Sequence, residues 1–99
     1  MRKTKQVTAS AKTARQLERY FKGAANHHRI SILLLVAKAP DISLDDIAEQ
    51  LGGNIKTISA HTRKLSQAGL LNKRYLGRTV LHSLSPYGRR FYRFIKSFK

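Results

Sequence analysis

Residues 43–71 run SLDDIAEQLGGNIKTISAHTRKLSQAGLL, and the glycine pair Gly52-Gly53 near their middle constrains the fold more than any other feature. Ahead of the pair, Leu44, Ile47, Ala48 and Leu51 recur at helical spacing behind Ser43, with Asp46 at the capping-box position. Behind it, Asn54 is placed to cap a second helix over 54–68, in which Ile55, Ile58, Leu65 and Ala68 share one face. Glycine ends a helix without a Cβ penalty, so the stretch spells helix, tight turn, helix. The outer arc of the second helix carries Lys56, Thr57, Ser59, Ala60, Arg63, Lys64 and Gln67. A surface helix is polar merely by being solvated, so what this arc serves depends on its surroundings.

The surroundings are helical before it and alternating after it. Residues 1–9 are polar and basic with little periodicity, and read as a flexible basic arm ahead of one domain over 10–99. Ala14, Leu17, Phe21 and Ala24 mark a first helix, with Glu18 one turn before Lys22. Asn26 then caps HHRISILLLVAKA, whose near-continuous apolar run predicts burial on most sides before Pro40 stops it. After Gly69 the period becomes two. LLNKRYLGRTVLHSL predicts a β-hairpin turning at Gly77-Arg78, with Leu71, Lys73 and Tyr75 on one side, Val80, His82 and Leu84 on another, and a cationic tip of Lys73, Arg74 and Arg78. Ser85-Pro86 opens a last helix in cap-then-proline order, with an aromatic stripe of Tyr87, Phe91, Phe94 and Phe98.

Charge narrows the partner. Among 99 residues, 20 Lys or Arg stand against 5 Asp or Glu, a net +15. Four of the five acids (Asp41, Asp45, Asp46, Glu49) fall within residues 41–49, and residues 54–99 hold eleven Lys or Arg and no acid. Such a field suits a polyanion, where each phosphate neutralised releases condensed counterions. The plain alternatives are a solvated basic surface or an anionic membrane surface, the latter supported only by the C-terminal aromatic stripe. No cysteine is present, which excludes disulfides and thiolate metal ligation. The longest apolar run, ISILLLVA, is too short to span a bilayer, and no signal-peptide core follows the basic start. A cytoplasmic, nucleoid-associated location is the expectation.

A helix-turn-helix followed by a basic ribbon fits nucleic acid mechanically, since the second helix suits the major groove and the ribbon reaches neighbouring backbone or minor groove. LGGNIKTISAHTRKLSQAGLL resembles the corresponding segment of ArsR-type winged helix-turn-helix regulators, approximately L-G-x-S-x-x-T-V-S-x-H-L-x-x-L-x-x-A-G-L-V. Leu51, Gly52, Thr57, Ile58, Ser59, His61, Leu65, Ala68, Gly69 and Leu70 stand in register. AANHHRISIL is similar to that family's A-L-A-D-P-x-R-L-x-I-L, through Ala25, Arg29, Ile30 and Ile32, and LGRTVLHSL to its wing G-R-x-x-x-Y-x-L. Thr62 replaces a leucine and His82 an aromatic, while LSPYGRR resembles the L-T-P-x-G-R junction of MarR-like and archaeal winged-helix regulators. The resemblance implies a mainly α fold with a small β-hairpin wing (α+β), five helices and a two- or three-stranded wing sheet. It also implies a homodimer built on the first and last helices. Neither the family's cysteine motif nor its C-terminal Asp/His/Glu ligand set occurs here, so a non-metal-sensing member is expected.

The remaining candidates have plain readings. His27 and His28 lie about 100° apart on a helix without Cys or carboxylate partners, and read as first-turn polar residues rather than metal ligands. His61 borders the apolar arc, and His82 reads as a core-edge substitute for an aromatic. Asp45-Asp46 complements a helix dipole, and no nucleophile has an evident base, so the chain is not expected to be an enzyme or to need a cofactor. The expected DNA-binding set is Lys56, Thr57, Ser59, Ala60, His61, Arg63, Lys64, Gln67, Lys73, Arg74, Arg78 and Thr79; the expected dimer set is Leu17, Phe21, Tyr87, Phe91, Phe94 and Phe98. Expected partners are double-stranded DNA and a second copy of the chain, with no metal and no membrane. Three classes compete: a dimeric sequence-specific regulator, an architectural protein coating DNA with little sequence preference, and an RNA-binding or adaptor module. Thr57, Ser59 and Gln67 favour the first, because hydrogen-bonding side chains at base-edge positions are wasted on pure phosphate binding. An A-form major groove does not admit a helix, which counts against RNA.

Overall fold

The computed structural model describes residues 12–98; the arm expected at 1–9 lies outside the described residues. Five helices and three strands follow in order: α1 (Ala14–Ala24), α2 (His27–Lys38), β1 (Ile42–Ser43), α3 (Leu44–Leu51), α4 (Ile55–Gln67), β2 (Leu71–Leu76), β3 (Thr79–Leu84) and α5 (Pro86–Lys96). The helix starts are set by side-chain caps. Asn26 accepts from the amides of His28 and Arg29 (2.9 and 3.2 Å), and Asn54 from those of Lys56 and Thr57 (2.8 and 3.4 Å). Ser43 accepts from the Asp46 amide at 3.1 Å. A full reciprocal box sits instead at α1, where Thr13 Oγ1 accepts from Gln16 and Gln16 Oε1 accepts from the Thr13 amide. Gly52 closes α3 in the left-handed region, φ +65°, which produces the turn the glycine pair predicts.

The core is centred on α2, whose Ile32, Leu33 and Val36 are fully buried against Ile47, Ile58, Leu65 and Leu70. Removing such side chains from water contributes roughly 1.5–3 kcal/mol each, which is what holds helices of eight to thirteen residues in place. In α4 the inward row is Ile58, Thr62 and Leu65. Ile55, expected on this face, is 44% exposed. Thr62 fills the place of the missing leucine at 1% exposure, its hydroxyl neutralised by donation to the Ser59 carbonyl at 2.9 Å.

The sheet is antiparallel in the order β1-β3-β2, so the wing is three-stranded, with the short β1 pairing Ile42 to His82. The β2–β3 register pairs Leu71 with Leu84, Lys73 with His82 and Tyr75 with Val80. The two triplets expected on different sides are therefore cross-strand partners on one face, because directly opposed residues project the same way. That register also corrects the wing tip. Only Arg78 occupies the two-residue turn, beside Gly77 at φ +64°; Lys73 and Arg74 lie along β2, on opposite faces. Arg74 reaches Asp41 at 3.5 Å.

The β3–α5 junction is tied by one side chain. Ser85 Oγ accepts from the Gly88 amide (2.9 Å) and donates to the Gly69 carbonyl (2.6 Å), while the Ser85 amide donates to Leu70 (3.2 Å). Gly88 is required there, since a Cβ on it would overlap the Leu70 carbonyl oxygen.

Candidate nucleic-acid interface

With Ile58, Thr62 and Leu65 turned inward, about 100° per residue places Lys56, Ala60, Arg63 and Gln67 on the opposite arc of α4. Lys56, Arg63 and Gln67 are exposed, and Ala60 is half-buried between them. The centre of the arc is thus low and its rim is made of long donors, a shape that lets the helix backbone approach a groove floor. Thr57 and Lys64 are exposed on one edge of the arc, with the half-buried His61 nearer the core; Ser59 lies half-buried on the other edge. The rigid core on the far side of α4 fixes the direction in which all of these side chains project.

The two edges differ. On the Arg63 side stands β2, where Lys73 is half-buried on the sheet face that also holds His82. Burial, and then the neighbouring Arg63 guanidinium, lower the Lys73 pKa below the usual lysine value. Arg78 and Thr79 extend this cationic flank into exposed positions at the turn. Arg74 faces away from Lys73 and shares its charge with Asp41, so of the three expected wing cations Arg78 is the one presented outward at the end of the ribbon.

On the His61 side α4 meets α2 and α1. Arg29 of α2 is clamped, its Nε donating to the Gly23 carbonyl at 2.6 Å and its Nη1 lying 3.3 Å from His61 Nδ1. A guanidinium only donates, so Nδ1 is the acceptor and His61 carries its proton on Nε2. Burial, and then the charges of Arg29, His28 and Lys64, lower the His61 pKa. The His61 ring stacks on His28 (centroids 5.4 Å, 23°), which in turn meets His27 at 4.0 Å. The three histidines form one group although His27 and His28 leave their helix about 100° apart. Sequence spacing could not bring His61 to them, because the link is made by the packing of α4 on α2. Among the described residues no group of three or more His, Cys, Asp or Glu is arranged to hold a metal ion.

The dimer candidates lie on another surface. Phe21 of α1 meets Phe91 and Phe94 of α5 edge-on (5.4 and 6.1 Å), so part of the stripe is satisfied within the chain. It still leaves Phe21 49% and Phe94 45% exposed, with Leu17 and Tyr87 beside them. Phe98, expected to continue the helix, lies past its end at 76% exposure, because Ser97 caps α5. Between α1 and α5 a groove of about 450 Å³ is lined by Leu17, Tyr20, Phe21, Tyr87, Phe91 and Phe94. Lys12 stands over Tyr87 and Tyr20 at its rim (4.6 and 5.5 Å to the ring centroids).

Residues 26–72, from the Asn26 cap through α4 into β2, match the family model for winged helix-turn-helix DNA-binding proteins. The chain has the winged helix-turn-helix fold. Among solved structures, this winged helix-turn-helix is similar to the homodimeric winged helix-turn-helix DNA-binding domain of Mb0332 (fragment 1–100) from Mycobacterium bovis, a candidate ArsR-family transcriptional regulator. Identity is 25% over 90% of this chain and 88% of that one, with a TM-score of 0.77. HlyU from Vibrio cholerae shares the fold at TM-score 0.80, with 22% identity over 89% of this chain and 96% of its own. NolR from Sinorhizobium fredii does so at 0.76, with 21% identity over 86% and 85%. No curated protein matches by sequence. The ArsR-type resemblance of the α3–α4 segment thus agrees with the Mycobacterium bovis neighbour, a candidate member of that family. No helix among the described residues is long and apolar enough to cross a membrane.

Proposed function

We propose that the chain is a sequence-specific double-stranded DNA-binding transcriptional regulator that acts as a homodimer in the cytoplasm, by binding rather than catalysis. The observation that carries this is the outer arc of α4. A helix fixed by a fully buried inner row presents Lys56, Arg63, Gln67 and Thr57 around the small Ala60, in a chain of net charge +15. Such an arc enters the major groove with hydrogen-bonding side chains at base edges, Ala60 leaving room for a thymine methyl. The wing, residues 71–84, lies on the backbone or in the minor groove, with Arg78 foremost. Ser59, His61, Lys64, Lys73, Arg74 and Thr79 complete the surface, His61 and Lys73 from half-buried positions and Arg74 from the outer sheet face.

The aromatic face of α1 and α5 joins two copies through Leu17, Phe21, Tyr87, Phe91, Phe94 and Phe98. The Mycobacterium bovis domain is a homodimer, and a patch this aromatic is more than a monomer ordinarily leaves in water. A two-fold dimer spaces its half-sites one helical turn apart, about 34–36 Å. The charge also suits a second reading, an architectural protein with little sequence preference. Selection of bound duplexes from a random-sequence pool separates the two: a pseudo-palindromic motif is expected, and recovery of unselected sequence would favour the architectural role.

A further inference from the structure

The surface on the side of α4 away from the wing is strongly cationic. A shallow groove of about 360 Å³ runs between α1 and α4, lined by Arg19 and Lys22 from α1, Arg29 from α2, and Lys64 and Gln67 from α4. Of these cations, Lys22 has a carboxylate partner, Glu18 at 3.0 Å, an exposed i,i+4 pair that contributes little and leaves the ammonium free to exchange partners. Arg29 joins the groove to the histidines, since the same guanidinium that lines it lies 3.3 Å from His61 Nδ1. His27 and His28 extend the group at the start of α2, both exposed.

We propose that this flank is a second phosphate-holding surface: Arg19, Lys22, Arg29 and Lys64 seat backbone phosphates beside the recognition helix, and the adjoining His61 imidazole takes up a proton when DNA binds. The inference rests on α4 entering the major groove. It extends the footprint to residues of α1 and α2, beyond α4 and the wing. With the wing on the other edge of α4, the recognition helix is then held from both sides, which fixes its orientation on the duplex.

The proton linkage follows from the surroundings of the cluster. Beside His61 stand the cations Arg29 on α2 and Lys64 on α4; both line the groove with Arg19 and Lys22 of α1, and the α1 carboxylate Glu18 is paired with Lys22. In the free protein, neutral His61 accepts from Arg29, and a proton on Nδ1 would break that bond and set two cations against each other. A phosphate brought into the groove reverses the sign of the local field. Protonated imidazole becomes the favoured form, Arg29 turns to the phosphate, and affinity rises as pH falls through the imidazole range. His82 lies away from this surface, buried in the sheet with its Nδ1 on the Ile42 carbonyl.

The test is fluorescence anisotropy of a labelled duplex with the full chain between pH 5.5 and 8 at constant ionic strength, comparing wild type with His61→Gln. Wild-type affinity is expected to rise about tenfold per proton taken up for each pH unit at the steepest point. The His61→Gln variant should be markedly flatter. Equal pH slopes in the two proteins would overturn the proton linkage. An Arg19→Ala, Lys22→Ala variant, altered only at exposed sites, should flatten the log K against log salt plot by about 0.9 for each phosphate it no longer neutralises; an unchanged slope would remove the α1 flank from the DNA. Wild-type protein that binds with sequence preference but fails both tests overturns this inference and leaves the regulator reading standing. Protein that binds no duplex overturns both.

Discussion

Gly88→Ala is a substitution that in an ordinary helix would stabilise and here should do the reverse. Alanine gains up to about 1 kcal/mol over glycine in a helix interior, and less in a first turn such as this one. At position 88, however, the added Cβ overlaps the Leu70 carbonyl oxygen and lies 3.1 Å from its carbon, with Ser85 Oγ at 3.4 Å. The obstacle is backbone, anchored by the Ser85 amide, so no rotamer change relieves it. The start of α5 must lift, at a cost of about 1 to 3 kcal/mol for overpacking. Lifting also stretches the Gly88–Ser85 cap bond, worth about 1 kcal/mol. The net expectation is a loss of about 1 to 3 kcal/mol, which at about 4–8 °C per kcal/mol for a chain of this size lowers Tm by roughly 5 to 20 °C. Thermal unfolding followed by circular dichroism, at fixed protein concentration, measures it. A Tm equal to or above wild type would refute the close approach of α5 to Leu70.

Burial holds the His82 pKa below its usual value, against the Ile42 carbonyl bond that raises it and with Lys73 lowering it further. The unfolded chain therefore takes a proton more readily, so stability is full above about pH 6.5 and falls as pH drops below that. Unfolding midpoints between pH 5 and 7.5 should fall less steeply in His82→Phe, His61 leaving a remainder; an identical slope would contradict the burial of His82. Phe94→Asp, Phe98→Asp should halve the sedimenting mass while keeping the helical spectrum, and an unchanged mass would take the stripe out of the dimer. Arg78→Ala should weaken binding about equally on all sequences and flatten the log K against log salt slope by about 0.9; loss confined to one sequence would make Arg78 a base reader.

Much of the fold is legible because local chemistry and packing agree. Asn26, Ser43, Asn54 and Ser85 cap the helices they precede, and Gly52 and Gly77 take the positive φ their turns need. What sequence conceals is where neighbours come from. Thr62 reads as polar and is core, because its hydroxyl is satisfied within its own helix. Lys73 and Arg74 look like tip residues until the register puts them on opposite faces of β2. His61 joins His28 and Arg29 only through the crossing of α4 on α2, across 32 residues of sequence for the Arg29 contact. The α1 flank is hidden for the same reason: Arg19 and Lys22 are spaced as solvated residues on their own helix, and only the approach of Gly23 to Ala68 sets them beside α4.

The claim on which the rest depends is that α4 reads base edges. Its most direct measurement is the affinity of Lys56→Ala and Arg63→Ala for the selected duplex and for random duplex at one salt concentration. Each change should cost about 1 to 3 kcal/mol on the selected sequence and much less on random DNA, so that discrimination shrinks. Equal losses on both would contradict the claim, because α4 would then be one more phosphate-binding surface of an architectural protein.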